Sequence, residues 1–273
     1  MQQRSRAGLR AAAAPRRPAR RKALGQHHLK SGASCRPALE FLAAAGRRVL
    51  EIGPGGGVLT RELVAAGASP IWGLEIDLAW TALAARGLGG APVAWVVGDA
   101  VAFDYTRLPA ETLVAGNLPY NVAAPIVARV LLAHGRVPRA AFLLQREVVD
   151  RITAAPGGEA YGALTLLVGF RARARRLAVL RPGAFVPPPK VESAFVGLEL
   201  HPPPLPESEM PALEGVVRAA FGQRRKTLRN ALGAVHGRER AAAALATAGL
   251  DPDSRAEVLG AEDFLALHAA LAR

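Results

Sequence analysis

The sequence has 273 residues, 51% of them hydrophobic, with one cysteine and a formal net charge of +13. That length and apolar content suit one or two domains around a real core, which excludes wholesale disorder. No run of about 18 uncharged apolar residues occurs, so no membrane span is predicted, and the single Cys35 excludes an internal disulfide and fits a reducing, cytoplasmic compartment.

Charge is unevenly spread. Residues 1–22 carry eight Arg or Lys and no acid, and removing them from +13 leaves +5 for the rest. With Ala11 to Ala14, Pro15 and Pro18 but no amphipathic period, this tail reads as a disordered basic arm. It lacks the apolar stretch of a secretory signal. Overall basicity points to a polyanionic partner, discounted by a composition rich in Ala, Arg, Gly and Pro throughout.

From residue 48 onward, short apolar runs alternate with helical spacing, the pattern of a parallel α/β sheet. Strands are predicted at 48–53, 71–77, 93–98, 112–116 and 140–145, with helices at 58–66, 78–86 and 123–134. Helices at 147–154 and 161–171 and strands at 177–181 and 193–200 follow. The proline-rich stretch 201–206 reads as a linker. Beyond it, residues 210–273 show Ala/Leu helical spacing and no strand signal. The expected organisation is a basic tail over 1–22, a Rossmann-like α/β domain over 23–202 and a small all-helical domain over 203–273.

The segment from Glu51 to Gly57 (EIGPGGG) lies between a predicted strand and a predicted helix. Glycines there let the backbone turn tightly and approach a ligand at the helix start. Such turns serve nucleosides, dinucleotides or nothing beyond the turn itself. Two details bear on the choice. Glu75 and Asp77 end the second strand where a ribose diol would be gripped, and Val58 stands where the dinucleotide version carries another glycine. The acids suit any ribose-bearing ligand, and Val58 favours a methyltransferase over a dehydrogenase.

Asp99 closes the third strand, as an acceptor for an adenine amino group or as an ordinary turn acid. The fourth strand ends in Asn117-Leu118-Pro119-Tyr120. Ligands of open parallel sheets sit at the carboxyl ends of the strands, so Gly53, Glu75, Asp99 and Asn117 are expected to share one crevice. The exocyclic N6 of adenine is a poor nucleophile because its lone pair is delocalised into the ring. Acceptors on both amino hydrogens, from the Asn117 side chain and the Leu118 carbonyl, would help it attack a sulfonium methyl. Pro119 fixes the turn, and Tyr120 offers a flat surface for an extruded base.

Six ordered stretches resemble the ribosomal RNA adenine N6-dimethyltransferases of the KsgA type: 22–29 (KALGQHHL), 51–55 (EIGPG), 116–121 (GNLPYN), 144–149 (LQREVV), 185–194 (FVPPPKVESA) and 221–232 (FGQRRKTLRNAL). The resemblance implies S-adenosylmethionine as cofactor and dimethylation of two adjacent adenosines in small-subunit ribosomal RNA. It also implies a monomer that acts on an immature 30S particle. Cofactor contacts would fall on His27, Leu29, Gly53, Glu75, Asp99 and Asn117, and Phe185 would be a second aromatic near the target base. His28 replaces the family's usual phenylalanine, and residues 30–35 depart from its usual continuation, so altered affinity or processivity is expected.

Arg224, Arg225, Lys226 and Arg229 cluster near the domain junction and are expected to contact RNA phosphates. Arg146 and Arg151, and the run Arg171, Arg173, Arg175 and Arg176, are further basic clusters read first as solvated surface. The histidines His134, His201, His236 and His268 lack ligand spacing, so no metal site is predicted. Three functions stay open: methylation of small-subunit RNA, the same chemistry on large-subunit RNA or DNA, and a non-catalytic assembly factor.

Overall fold

The computed structural model describes residues 27–223 and 226–272. In chain order, β1 (His28–Leu29) leads through a 3-10 turn to α1 (Arg36–Leu42) and β2 (Val49–Ile52). Next come α2 (Val58–Ala65), β3 (Ile71–Glu75), α3 (Leu78–Gly87), β4 (Val93–Val97), β5 (Leu113–Asn117) and α4 (Ala123–Leu131). After β6 (Arg139–Gln145) follow α5 (Arg146–Ile152), α6 (Ala163–Gly169), β7 (Ala172–Leu180), β8 (Phe185–Val186) and β9 (Ser193–Leu200). The chain closes with α7 (Met210–Phe221), α8 (Leu228–His236), α9 (Arg238–Thr247) and α10 (Ala261–Leu271).

A seven-stranded sheet runs β4-β3-β2-β5-β6-β9-β7. The strands β4 to β6 are parallel, while β9 is antiparallel to both β6 and β7. Every residue of β2 is buried, as in a strand covered on both faces. Leu50 and Ile52 enter one apolar cluster with α4, while Val49 enters another with α1 and α2. Period-two alternation thus builds two separate helix-on-sheet cores from one strand.

Helix α1, the two-residue strands β1 and β8 and the start of β7 escaped the sequence pattern. Helix α1 is two turns long with Pro37 as its second residue, too short for periodicity to register. Strand β7 begins at Ala172, five residues before the predicted 177, and carries the arginine run. It lies at the sheet edge, where charged side chains are tolerated and discourage pairing with other chains. Arg176 pairs with Asp150 at 2.5 Å, and the Arg175 guanidinium sits 4.7 Å above the Phe41 ring.

A third apolar cluster joins α7 to α10 and draws in Tyr161, Leu166 and Phe170 from around α6. The Tyr161 hydroxyl donates to the Leu259 carbonyl at 2.7 Å. Arg171, 5% exposed, makes a two-pronged bond to Glu207 at 2.6 and 2.8 Å, tying the linker to the foot of β7.

Candidate active site

The chain leaves β2 for β3 and β4 on one side, then returns to lay β5 and β6 on the other, so β2 and β5 flank the topological switch point. A cavity of about 390 Å³ opens there, lined by Gly53, Glu75, Asp99, Asn117, Leu118, Pro119, Tyr120 and the incoming His27 and His28. Four strand ends deliver these groups to one place, as their spacing suggested.

The floor is the glycine turn. Gly53 and Gly55 hold φ of 66° and 51°, left-handed values that a side chain resists. A Cβ on Gly55 would also lie 2.8 Å from the His28 ring. That ring packs tilted against Trp80, 4.3 Å between centroids, so a flat residue is retained where the resembling family has phenylalanine.

Glu75 is 4% exposed, and its two carboxylate oxygens accept from the Gly55 and Asp77 backbone N–H groups, each at 3.1 Å. Burial pushes its pKa up, opposed by those N–H donors. Glu51, 1% exposed, lies beneath the turn with one oxygen lacking a hydrogen-bond partner, and burial pushes its pKa up to about 8. Of these two desolvated acids only Glu75 lines the cavity, and Glu51 lies buried behind the turn. Asp99 is a turn acid, one oxygen accepting from Val101 N–H at 2.8 Å, and it also lines the cavity.

At the end of β5, the Asn117 Nδ2 donates to the His27 backbone carbonyl at 2.7 Å. A carbonyl can only accept, so the bond orients the amide and turns Oδ1 away from His27 as the acceptor. The Tyr120 ring stacks on the His27 ring at 5.6 Å and 28°, and its hydroxyl meets Ser193 Oγ at 2.6 Å.

Some expected site residues lie elsewhere. Phe185 is fully buried and Leu29 is 6% exposed, and both belong to the core cluster with Phe41 and Phe195. Antiparallel pairing of Leu29 with Phe185 turns both side chains inward, so neither lines the cavity. Arg224 and Arg225 lie outside the described residues. Arg229 is ion-paired with Asp253. Arg146 pairs with Glu192 at 2.6 Å and Arg151 with Glu147 at 2.7 Å. Beside the crevice a larger cleft of about 1060 Å³ separates α5 from α7 and includes Lys226 and Arg255, which carry no ion pair among the described residues. The apolar cavity residues Ile76, Val101 and Ile126 had no chemical signature in the sequence.

A family model described as "Ribosomal RNA adenine dimethylase" matches residues 19–273. The chain belongs to that family. It is 40% identical over 257 residues to "Ribosomal RNA small subunit methyltransferase A" of Thermosynechococcus vestitus, covering 90% of this chain and 95% of that one. Its fold matches a dimethyladenosine transferase from Plasmodium falciparum with a TM-score of 0.76 at 23% identity, over 88% of this chain and 96% of that one. The 23S rRNA methyltransferase ErmE gives 0.70 at 25% identity, over 90% and 99%.

The family's cofactor is S-adenosylmethionine, and the residues present suit it. The cradle is free of side chains where Gly53 and Gly55 turn, a buried carboxylate stands at the second strand end, and Ile76 and Val101 supply apolar surface for a purine. Among the described residues no group of three His, Cys, Asp or Glu is placed to hold a metal, and no helix is long and apolar enough to cross a membrane.

Proposed function

We propose that this enzyme dimethylates N6 of two adjacent adenosines in small-subunit ribosomal RNA, within an immature 30S particle. The carrying observation is the Asn117 amide, fixed by the His27 carbonyl so that Oδ1 remains for the target amino group. S-adenosylmethionine supplies a methyl on a cationic sulfur. Glu75 would hold the ribose diol, Asp99 the cofactor's adenine amino group, and Gly53 and the segment around His27 would enclose the rest.

Asn117 Oδ1 and the Leu118 carbonyl would each accept an N6 hydrogen, drawing the nitrogen towards a nucleophilic geometry. Tyr120 would stack the flipped base. No general base is required before transfer, because the proton leaves once the nitrogen becomes cationic. Positioning then carries most of the rate. Residues 23–202 would form the catalytic domain and 203–273 the helical domain that grips RNA, with Lys226, Arg229 and the neighbouring Arg224 and Arg225 offering phosphate contacts. The enzyme would act as a cytoplasmic monomer.

The likeness to ErmE favours a second reading, methylation of large-subunit RNA. Higher identity at equal coverage of this chain, 40% against 25%, supports the first. Labelled S-adenosylmethionine, supplied with small or large subunits that lack adenine methylation, separates them. Label on small subunits alone supports the proposal, and label on large subunits alone overturns the substrate.

A further inference from the structure

The segment from Phe185 to Ser193, part of a matched stretch, also holds two ring contacts. The Pro187 carbonyl lies 2.9 Å from His27 Nδ1, and Ser193 Oγ lies 2.6 Å from the Tyr120 hydroxyl. His27 and Tyr120 stack on each other between these two anchors. One stretch of chain therefore holds both rings of the crevice, from positions 160 and 73 residues away.

Ser193 suits an anchor. It is fully buried and starts β9, in register with Gln145 of β6 on one side and Leu180 of β7 on the other. Its backbone is thus fixed by two neighbouring strands. Tyr120 follows Pro119, whose carbonyl accepts from Val122 N–H at 3.1 Å, so the turn fixes the Cα end of the ring. Bonding the hydroxyl to Ser193 fixes the far end. Swinging the ring sideways then breaks a short hydrogen bond, while its stack on His27 opposes rotation about its own long axis.

We propose that Ser193 is a positioning residue for the target base, acting through the Tyr120 hydroxyl to hold the stacking face in the orientation that the second methyl transfer needs. This rests on the N6-dimethylation proposed above. Unmethylated adenine offers two amino hydrogens to the acceptors at Asn117 and Leu118. After one transfer only one hydrogen is left, so one hydrogen bond is lost and stacking must orient the base. A loosened Tyr120 ring therefore hurts the second transfer more than the first.

The test compares wild type, Ser193→Ala, Tyr120→Phe and the double variant, scoring monomethyl- against dimethyladenosine by mass spectrometry on unmethylated small subunits. Tyr120→Phe removes the same bond without touching the sheet. Expected are a kcat for the second transfer lowered about three- to tenfold in each single variant, no further loss in the double variant, and monomethyladenosine accumulating. S-adenosylmethionine affinity by calorimetry should stay at the wild-type value, and the melting temperature should fall slightly and alike in both single variants. Wild-type product ratios in both single variants, or losses that add in the double variant, would overturn the positioning role. So would an effect of Ser193→Ala, with lost cofactor binding or lowered melting, that Tyr120→Phe fails to reproduce. A wild-type enzyme that makes no dimethyladenosine would instead overturn the underlying proposal.

Discussion

The Asn117 side chain donates to the backbone carbonyl of His27 across 90 residues of chain. That bond joins the end of the fourth parallel strand to the segment that enters the crevice from the amino-terminal side. It makes the amino-terminal segment part of the catalytic geometry, because the amide cannot flip without losing its acceptor.

Asn117→Asp is the sharp test of this bond. A carboxylate has no hydrogen to give the His27 carbonyl, and two oxygens would face each other at the distance now bridged. Turnover should fall by about two to three orders of magnitude, the range for losing one preorganised polar group. Cofactor affinity by calorimetry should change less, since Glu75 and the glycine turn are untouched.

Gly55→Ala should damage cofactor binding with little change at Asn117. The new methyl meets a φ of 51° and a ring carbon 2.8 Å away. The left-handed backbone alone costs about 1–2 kcal/mol, and the displaced His28 ring loses its contact with Trp80. Calorimetric titration should show weaker S-adenosylmethionine binding, and thermal melting should show a lowered midpoint. Unchanged values for both would mean that the turn is not the cradle.

Much of this site was legible because its chemistry sits at strand ends. Glu75, Asp99 and Asn117 each follow an apolar run, and a parallel sheet sends such positions to one edge. Phe185 shows the limit. Its place in a matched motif suggested a base-facing ring, yet pairing with Leu29 turns it into the core. Which face a two-residue strand presents depends on a partner far along the chain, and no local pattern encodes it. Ser193 and Pro187 were missed for the same reason, since their partners Tyr120 and His27 are distant. Ion pairing was equally hidden: the spacing of Arg146, Arg151 and Arg229 indicated exposure but not the acids that neutralise them.

Glu51 should give the fold a pH dependence. Its pKa rises from 4.5 to about 8 on burial, so the folded state binds a proton that the unfolded chain releases. The associated stability is complete below pH 4.5 and is lost as pH climbs through about 8. Urea unfolding between about pH 5 and about pH 8 should show a loss on the order of 1 kcal/mol per pH unit. Glu51→Gln should flatten that slope, and an identical slope in the variant would exclude Glu51 as its source.

Glu207→Ala should loosen the junction between the sheet and the helices. It strands the Arg171 guanidinium, whose side chain is 6% exposed, while Glu207 itself is 49% exposed. Half-exposure of the acid lets water take part of its place, so a cost of about 1–3 kcal/mol is expected by urea unfolding. Glu207 has a pKa held down by Arg171, so its contribution is present above pH 4.5 and fades as pH falls below it.

The central claim is N6,N6-dimethylation of adjacent adenosines through Asn117. Its most direct measurement is nucleoside-resolved mass spectrometry of unmethylated small subunits after incubation with S-adenosylmethionine and either wild type or Asn117→Ala. Two neighbouring dimethyladenosines with wild type, and neither with the variant, is the expected result. Dimethyladenosine formed equally by the variant, or methyl groups on another base or ring atom, would contradict the account.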